Sequence, residues 1–190
     1  EDAIVSRDGV AHPVDAVILA TGFQSTAFLA PMRIEGRDGR TLETEWAGGA
    51  RAYLGLAVAG FPNFFMMYGP NTNLGHNSII FMIECQANYI VQAIRSLSER
   101  DLAWTDLRRE VLDTYDTELQ SQLAGSVWAK VAKSWYVNEH GVITNNWSGT
   151  TLRYWWRTRR FEPALYEARP LAARAAAPAP SMTAKRPSEA

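Results

Sequence analysis

The sequence contains few of the residues that make up a self-sufficient catalytic or metal site. Its 190 residues include one cysteine, Cys85, and three histidines, His12, His76 and His140. A single thiol forms no disulfide within the chain, and histidines this far apart without spaced partners do not predict a metal site. No serine lies in a Gly-x-Ser-x-Gly elbow. We expect Cys85 to be a small buried thiol in an apolar helix.

Strong charge and long apolar runs are absent as well. The net charge of −1 gives no basic field for nucleic acid, so we expect no nucleic-acid partner. No apolar run approaches the roughly 18 residues that span a bilayer, and the first residues do not resemble a signal peptide. With 47% hydrophobic and 21% charged residues, the chain is typical of a soluble globular protein. We expect a cytoplasmic protein without a membrane partner.

The first part of the chain predicts an α/β fold. Residues 3–11 alternate around Asp8-Gly9, which indicates a short hairpin. Residues 15–20 form a continuous apolar run, which is typical of a strand covered on both faces in a parallel sheet. Two later runs, residues 53–58 and 64–68, also have strand composition. The pair Thr21-Gly22 follows the first run, at the strand end where open α/β sheets bind ligands.

A second signal lies where turn residues 69–78 open onto an apolar helix predicted over 78–97. Asn77 or Ser78 can cap its first free N–H groups. A helix start suits a phosphate, a carboxylate or an electron-rich ring edge, although a capped core helix explains the same pattern. Another helix is predicted from Thr105 or Asp106 to Gly125. The aromatic-rich loops after it either close the edge of a core or wall a pocket.

Several segments together resemble the flavin-containing monooxygenases, and within them the Baeyer-Villiger branch. The resemblance spans about residues 3–161 and is carried by four segments in order: Ala20-Thr21-Gly22-Phe23 after its strand, Phe61-Pro62-Asn63-Phe64-Phe65 leading to Gly69-Pro70-Asn71, Leu74-Gly75-His76-Asn77-Ser78 opening the helix, and Ser134-Trp135-Tyr136 with Trp147. It implies the carboxyl-terminal part of a flavoprotein with two dinucleotide-binding domains.

The resemblance also implies cofactors and site residues. FAD and NADPH would be the cofactors, and one oxygen atom from O2 would enter a small organic substrate. The residues implied in cofactor binding are Thr21, Gly22, Phe23, His76, Asn77, Ser78, Ile79 and Trp135. Those implied in the substrate pocket are Asn73, Leu74 and Trp147. No residue of this chain is implied as catalytic.

The departures from the family pattern define what the chain lacks. Ser148 follows the tryptophan where many relatives carry proline, and neither glycine-rich dinucleotide loop occurs in the sequence. Those loops would precede Glu1, so we expect residues 1–162 to need an upstream part of the same polypeptide and to be inactive alone. Residues 163–190, rich in Ala and Pro, are predicted to form a disordered tail. A non-catalytic flavoprotein-like binding module is the alternative.

Overall fold

The computed structural model describes residues 2–22, 24–130 and 136–171. Its helices and strands are β1 (Ala3–Val5), β2 (Ala11–Pro13), α1 (Leu42–Glu45), α2 (Ile79–Glu99), β3 (Leu102–Leu107), α3 (Arg109–Ala124), α4 (Thr151–Thr158) and β4 (Tyr166–Pro170), with 3-10 turns at Arg37–Gly39, Val127–Lys130 and Pro163–Leu165. Helix α2 packs against α4 and β3, and these elements surround one apolar core. Within the described residues, no helix is both long and apolar enough to cross a bilayer, and no three potential metal ligands cluster.

The amino-terminal hairpin has the predicted form. Strands β1 and β2 pair antiparallel, with Ile4 opposite His12. Gly9 adopts a φ of +84°, a left-handed conformation that glycine enters without strain, and it reverses the chain at the predicted Asp-Gly pair. Local turn chemistry was therefore sufficient to locate this element.

Both helix predictions are confirmed, one of them with a shifted start. Helix α2 begins after the Ser78 cap, and Cys85 is buried on its inner face with a pKa that burial raises. Helix α3 begins at Arg109 and ends at Ala124, with Gly125 as its C-cap. Its predicted start was too early because Thr105 and Asp106 belong to β3.

The predicted strand over residues 15–20 is wrong for this chain. Its residues are exposed, with Ile18 at 89% and Leu19 at 83%, and the two sheets that the described residues form do not include it. A strand of a parallel sheet needs hydrogen-bonded neighbours and cover on both faces. The described residues supply neither, so the apolar run stays unpaired.

The strands predicted over residues 53–58 and 64–68 are also wrong. Leu54 and Gly55 have φ values of +52° and +66°, so residues 53–58 form a tight buried turn bridged between Tyr53 and Ala57. Residues 64–68 are held as a loop by bonds outside any sheet. In it, Met66 N–H donates to the Leu56 carbonyl at 2.9 Å.

The predicted tail boundary at residue 163 is wrong for its first nine residues. Residues 163–165 form a 3-10 turn, and β4 pairs antiparallel with β3, Tyr166 lying opposite Leu107. Tyr166 is 4% exposed and belongs to the core. One large aromatic residue therefore anchors a segment that its Ala- and Pro-rich composition placed outside the fold. Residues 172–190 lie outside the described residues.

Ion pairs tie α1 to α3. The Glu45 carboxylate, 12% exposed, accepts hydrogen bonds from Arg109 and, at 3.0 Å, from Arg51, which also donates to Asp113 at 2.8 Å. Burial alone raises the pKa of Glu45, but the two guanidinium groups outweigh that effect and lower it. The charged carboxylate is therefore the form that this cluster stabilises.

Candidate functional site

The turn that leads into α2 is attached along its length to a second segment, residues 143–147. The main-chain N–H groups of Asn71 and Asn73 donate to the carbonyls of Thr144, at 2.7 Å, and Asn145, at 2.9 Å. The N–H of Trp147 returns a bond of 2.9 Å to the Asn73 carbonyl. These bonds form a short parallel bridge and bring the predicted substrate-pocket residues Asn73, Leu74 and Trp147 together.

Two asparagine side chains reinforce this bridge. Asn71, 1% exposed, donates from Nδ2 to the carbonyls of Ile143 at 2.7 Å and Asn146 at 3.1 Å. Its φ of +59° is a conformation that asparagine tolerates better than most residues. Asn73 donates from Nδ2 to Oδ1 of Asn146 at 3.0 Å. The predictions included Asn71 only as part of the Gly69-Pro70-Asn71 segment and missed Asn146, although two Asn-rich turns in one chain were a visible signal.

At the start of α2, the side chains of Asn77 and Ser78 both act as caps. Ser78 Oγ accepts from the N–H of Phe81 at 3.2 Å, and Asn77 Oδ1 accepts from the N–H of Ser78 at 2.7 Å. The first N–H groups of an α-helix have no partner within the helix, which leaves those of Ile79 and Ile80 as donors at this end. Asn77 and Ser78 are exposed, so the helix start faces outward from the described residues.

Asn77 also connects the helix start to α4. Its Nδ2 donates to Oγ1 of Thr151 at 3.0 Å. Trp147, 3% exposed, donates from Nε1 to the Thr150 carbonyl at 3.2 Å and packs edge-on against Tyr154, with ring centroids 5.3 Å apart. The Trp147 indole is therefore fixed in the core and does not project into solvent.

A relay of buried hydrogen bonds through Gln86 and Tyr154 supports the turn that leads into α2. Gln86 of α2 accepts from the N–H of Tyr68 at 2.9 Å and donates to the Tyr154 hydroxyl at 2.8 Å. That hydroxyl donates in turn to the Leu54 carbonyl at 2.6 Å, and burial raises the pKa of Tyr154 well above its ordinary value. The predictions missed Gln86, a polar residue within the apolar stripe of α2, which is the signal that could have revealed it.

An aromatic side chain covers the turn at Gly75. A β-carbon built on Gly75 would lie 2.9 Å from Cη2 and 3.1 Å from Cζ2 of Trp128, so the indole edge rests directly on the glycine backbone. Trp128 is half-buried and packs against Tyr136 with ring centroids 4.6 Å apart. His76, the next residue, is exposed.

The remaining predicted site residues are not assembled with these. Thr21 and Gly22 are exposed, and a β-carbon on Gly22 would meet nothing within 4 Å. No hydrogen bond among the described residues joins them to the helix start. Phe23 and Trp135 lie outside the described residues.

A cavity lies elsewhere among the described residues. Its volume is about 900 Å³, and it lies between residues 24–32, residues 42–50 and residues 137–144. Aromatic side chains of Phe28 and Trp46 form one side, and Glu139 and His140 lie on another. None of the predicted site residues lines it, so the cavity and the helix start are separate features.

Comparisons with known proteins find monooxygenases as relatives of this chain. No family model matches the chain. The chain is 44% identical over 155 residues to the FAD-binding monooxygenase ktnD of Aspergillus niger and 40% identical over 169 residues to a Baeyer-Villiger monooxygenase of Pseudomonas aeruginosa. These alignments cover 79% and 87% of this chain but 26% and 32% of the relatives. The chain therefore spans about a quarter to a third of their length.

A solved structure agrees. The chain superposes on an oxidized steroid monooxygenase bound to NADP with a TM-score of 0.64 and 29% identity, over 73% of this chain and 27% of that one. This structural similarity, together with the helices and strands of the described residues, confirms the predicted α/β class.

Proposed function

We propose, since this chain belongs to the family of flavin-containing and Baeyer-Villiger monooxygenases, that it is the carboxyl-terminal part of an FAD- and NADPH-dependent monooxygenase. The full protein would insert one oxygen atom from O2 into a small organic substrate. Residues upstream of Glu1 would supply the glycine-rich loops for both dinucleotides, and the cytoplasm would be its location. In this proposal the functional unit is residues 1–162 together with β4, the strand that pairs with β3.

The observation that carries the proposal is the double cap at the start of α2. Asn77 and Ser78 satisfy the N–H groups of Ser78 and Phe81, while those of Ile79 and Ile80 remain for an external acceptor. The pyrimidine edge of a flavin presents carbonyl and ring-nitrogen acceptors. The residues present therefore fit FAD at this end of a helix of 21 residues.

Electrostatics at this helix start favours the reduced cofactor. A helix N-terminus carries partial positive charge, and its effect on a nearby negative charge is worth about 1 kcal/mol when partly buried. When bound and reduced by NADPH, FAD would activate O2, from which one oxygen atom would enter the substrate and the other would leave as water. The donors of Ile79 and Ile80 would hold negative charge on the ring edge, and His76 would lie beside it.

Other residues would position and enclose the reactants. Thr21 and Gly22 would lie against FAD, because glycine permits close approach of backbone to a ligand. Phe23 and Trp135 would contact the cofactors. Asn73, Leu74 and Trp147 would line the substrate pocket and exclude water from it. The hydrogen bonds of the Trp147 indole and the Asn73 amide would make the walls of that pocket rigid.

The test uses the full-length protein that contains this chain. Purified protein should bind FAD and consume NADPH in step with oxygenation of a ketone or a soft nucleophile such as a thioether. Absence of both FAD binding and NADPH oxidation would contradict the proposal and favour the alternative of a non-catalytic binding module.

The role of the helix start is tested by inserting one alanine between His76 and Asn77. The insertion turns the first helical turn by about 100°, which moves its donors while the apolar stripe repacks. We expect a lower flavin reduction potential and slower reduction by NADPH, with FAD retained. A matched insertion between Asp8 and Gly9, in the exposed hairpin, should change neither value. Unchanged values in the first variant would assign the flavin to another element.

A further inference from the structure

Trp128 occupies a position that neither the motifs nor the comparisons assign to a function. It lies in the 3-10 turn Val127–Lys130 that follows α3, and its indole edge rests on Gly75. Gly75 connects Leu74 of the proposed substrate pocket to His76 of the proposed cofactor site. The Trp128 side chain therefore touches the backbone at the junction between those two sites.

A side chain at position 75 would have to displace the Trp128 ring. A β-carbon would lie 2.9 Å from the Trp128 ring, and separations under 3.0 Å between such atoms require something to move. Gly75 has no positive φ that would demand glycine for backbone reasons. The space that the indole occupies is thus the structural reason for glycine at this position.

Both partners of this contact are held in place independently. The turn that carries Gly75 is attached to residues 145–147 through Asn73 and its main-chain bonds. On the other side, the Trp128 ring packs against Tyr136 at a tilt of 55°. A shift of the Trp128 ring away from Gly75 would therefore disturb its contact with Tyr136.

We infer that Trp128 is a specificity-determining residue, whose indole limits the size of substrate that fits beside Leu74, and that Gly75 is the residue that admits it. This inference rests on the proposed monooxygenase function and extends it to a residue outside the family motifs. Loss of the indole should open space at Gly75, the neighbour of Leu74 in the chain, and a side chain at position 75 should displace the indole. The two residues therefore affect selectivity through one contact.

The experiment measures kcat/KM of the full-length protein for two probe ketones that differ in bulk, cyclopentanone and 2-phenylcyclohexanone. In Trp128→Ala we expect the ratio of bulky to small ketone to rise by about tenfold, the lower end of what a pocket contact contributes to discrimination. In Trp156→Ala, which removes a tryptophan that is 59% exposed on α4, the ratio should stay at the wild-type value. An unchanged ratio in Trp128→Ala would overturn the inference.

A double-mutant cycle tests the contact itself. Gly75→Ala should change the ratio by about threefold or more when Trp128 is present and should leave it nearly unchanged in the Trp128→Ala background, because coupled residues are not additive. Equal effects in both backgrounds would show that Gly75 acts without Trp128. If Trp128→Ala does not fold, as judged by circular dichroism and FAD content, Trp128→Leu gives the same comparison with a smaller loss of volume.

The outcomes separate the two proposals. A wild-type protein that oxidises neither ketone with NADPH and O2 contradicts the proposed function and the inference that rests on it. A wild-type protein that oxidises both, with a ratio insensitive to position 128, leaves the function standing and removes Trp128 as a determinant.

Discussion

The side-chain amide of Asn71 donates a hydrogen bond to the main-chain carbonyl of Ile143 across 2.7 Å, although 72 residues separate them in the chain. The same nitrogen also donates to the Asn146 carbonyl at 3.1 Å. One buried side chain thus joins the turn before α2 to the segment before α4. These two hydrogen bonds help to fix the proposed cofactor residues relative to the proposed substrate residues.

Replacing Asn71 by aspartate should weaken the fold strongly. A carboxylate has nearly the same shape but cannot donate to the two carbonyls, and it brings an uncompensated charge into a site that is 1% exposed. We expect the free energy of unfolding at pH 7 to fall by about 3 kcal/mol. Urea denaturation of the 190-residue chain measures it.

Asn63→Asp is the matched control for that variant. Asn63 also has a positive φ, 55°, and donates from Nδ2 to a single carbonyl, that of Ala103, but it is exposed. The free energy of unfolding of Asn63→Asp should fall by only about 1 kcal/mol, the net value of one hydrogen bond. Equal losses in the two variants would mean that the buried hydrogen bonds of Asn71 contribute no more to stability than the exposed hydrogen bond of Asn63.

Neutralising Glu45 should change how stability depends on pH. The pKa of Glu45 in the folded chain lies below its ordinary value of 4.5, so the unfolded state binds more protons as the pH falls through that range. The stabilisation is therefore complete above pH 4.5 and is lost below it. In Glu45→Gln we expect a loss of about 2 kcal/mol at pH 7 and a flatter decline on acidification.

Denaturation curves between pH 7 and pH 3 provide that measurement. Glu43→Gln removes an exposed carboxylate from the same helix α1 and serves as the control. It should leave both the value at pH 7 and the acid slope close to wild type. A parallel pH dependence in Glu45→Gln and wild type would exclude Glu45 as the titrating group.

Removing the hydroxyl of Tyr154 should break the relay beneath the site. Tyr154→Phe leaves the Gln86 amide and the Leu54 carbonyl without their partner in a fully buried place. We expect a loss of about 2 kcal/mol in thermal or urea unfolding. Tyr68→Phe is the control. It removes a hydroxyl that donates to Oδ1 of Asn73 at 3.0 Å, on a residue that is 44% exposed. Its loss of unfolding free energy should be about a quarter of that in Tyr154→Phe.

The isolated chain should bind FAD poorly. Its helix start offers contacts to the ring alone, and the loops that would hold the pyrophosphate are absent from the sequence. Flavin absorbance after gel filtration of the purified chain should be far below one equivalent. A yellow product with stoichiometric flavin would contradict this expectation and would mean that ring-side contacts suffice.

The elements predicted correctly from sequence are those that short-range chemistry determines. Gly9 turns the first hairpin, and Ser78 caps α2, because each effect acts within a few residues. The run over residues 15–20 has the composition of a buried strand, but a strand forms only beside another strand. Its partner does not occur among the described residues, so composition alone predicted an element that this chain does not form.

The site shows the same division. Asn77 and Ser78 were identified from local capping patterns, and the caps they form are local, whereas the bond from Asn77 to Thr151 was not predicted. Gln86 was not identified, and Trp128 was predicted only as part of an aromatic-rich loop with two possible roles. Their importance depends on contacts with residues 68 and 53 positions away, Tyr154 and Gly75. Contacts between distant segments follow from the packed fold and leave little trace in a single sequence.

Strand β4 has a practical consequence for gene truncation. A stop codon placed after residue 162, where composition suggests that the ordered part ends, would delete Tyr166 and leave β3 without the strand that pairs with it. The Tyr89 hydroxyl in α2 would also lose its partner, the Tyr166 hydroxyl at 3.1 Å. A stop codon, a carboxyl-terminal fusion tag or a protease site for this chain should therefore be placed after Leu171.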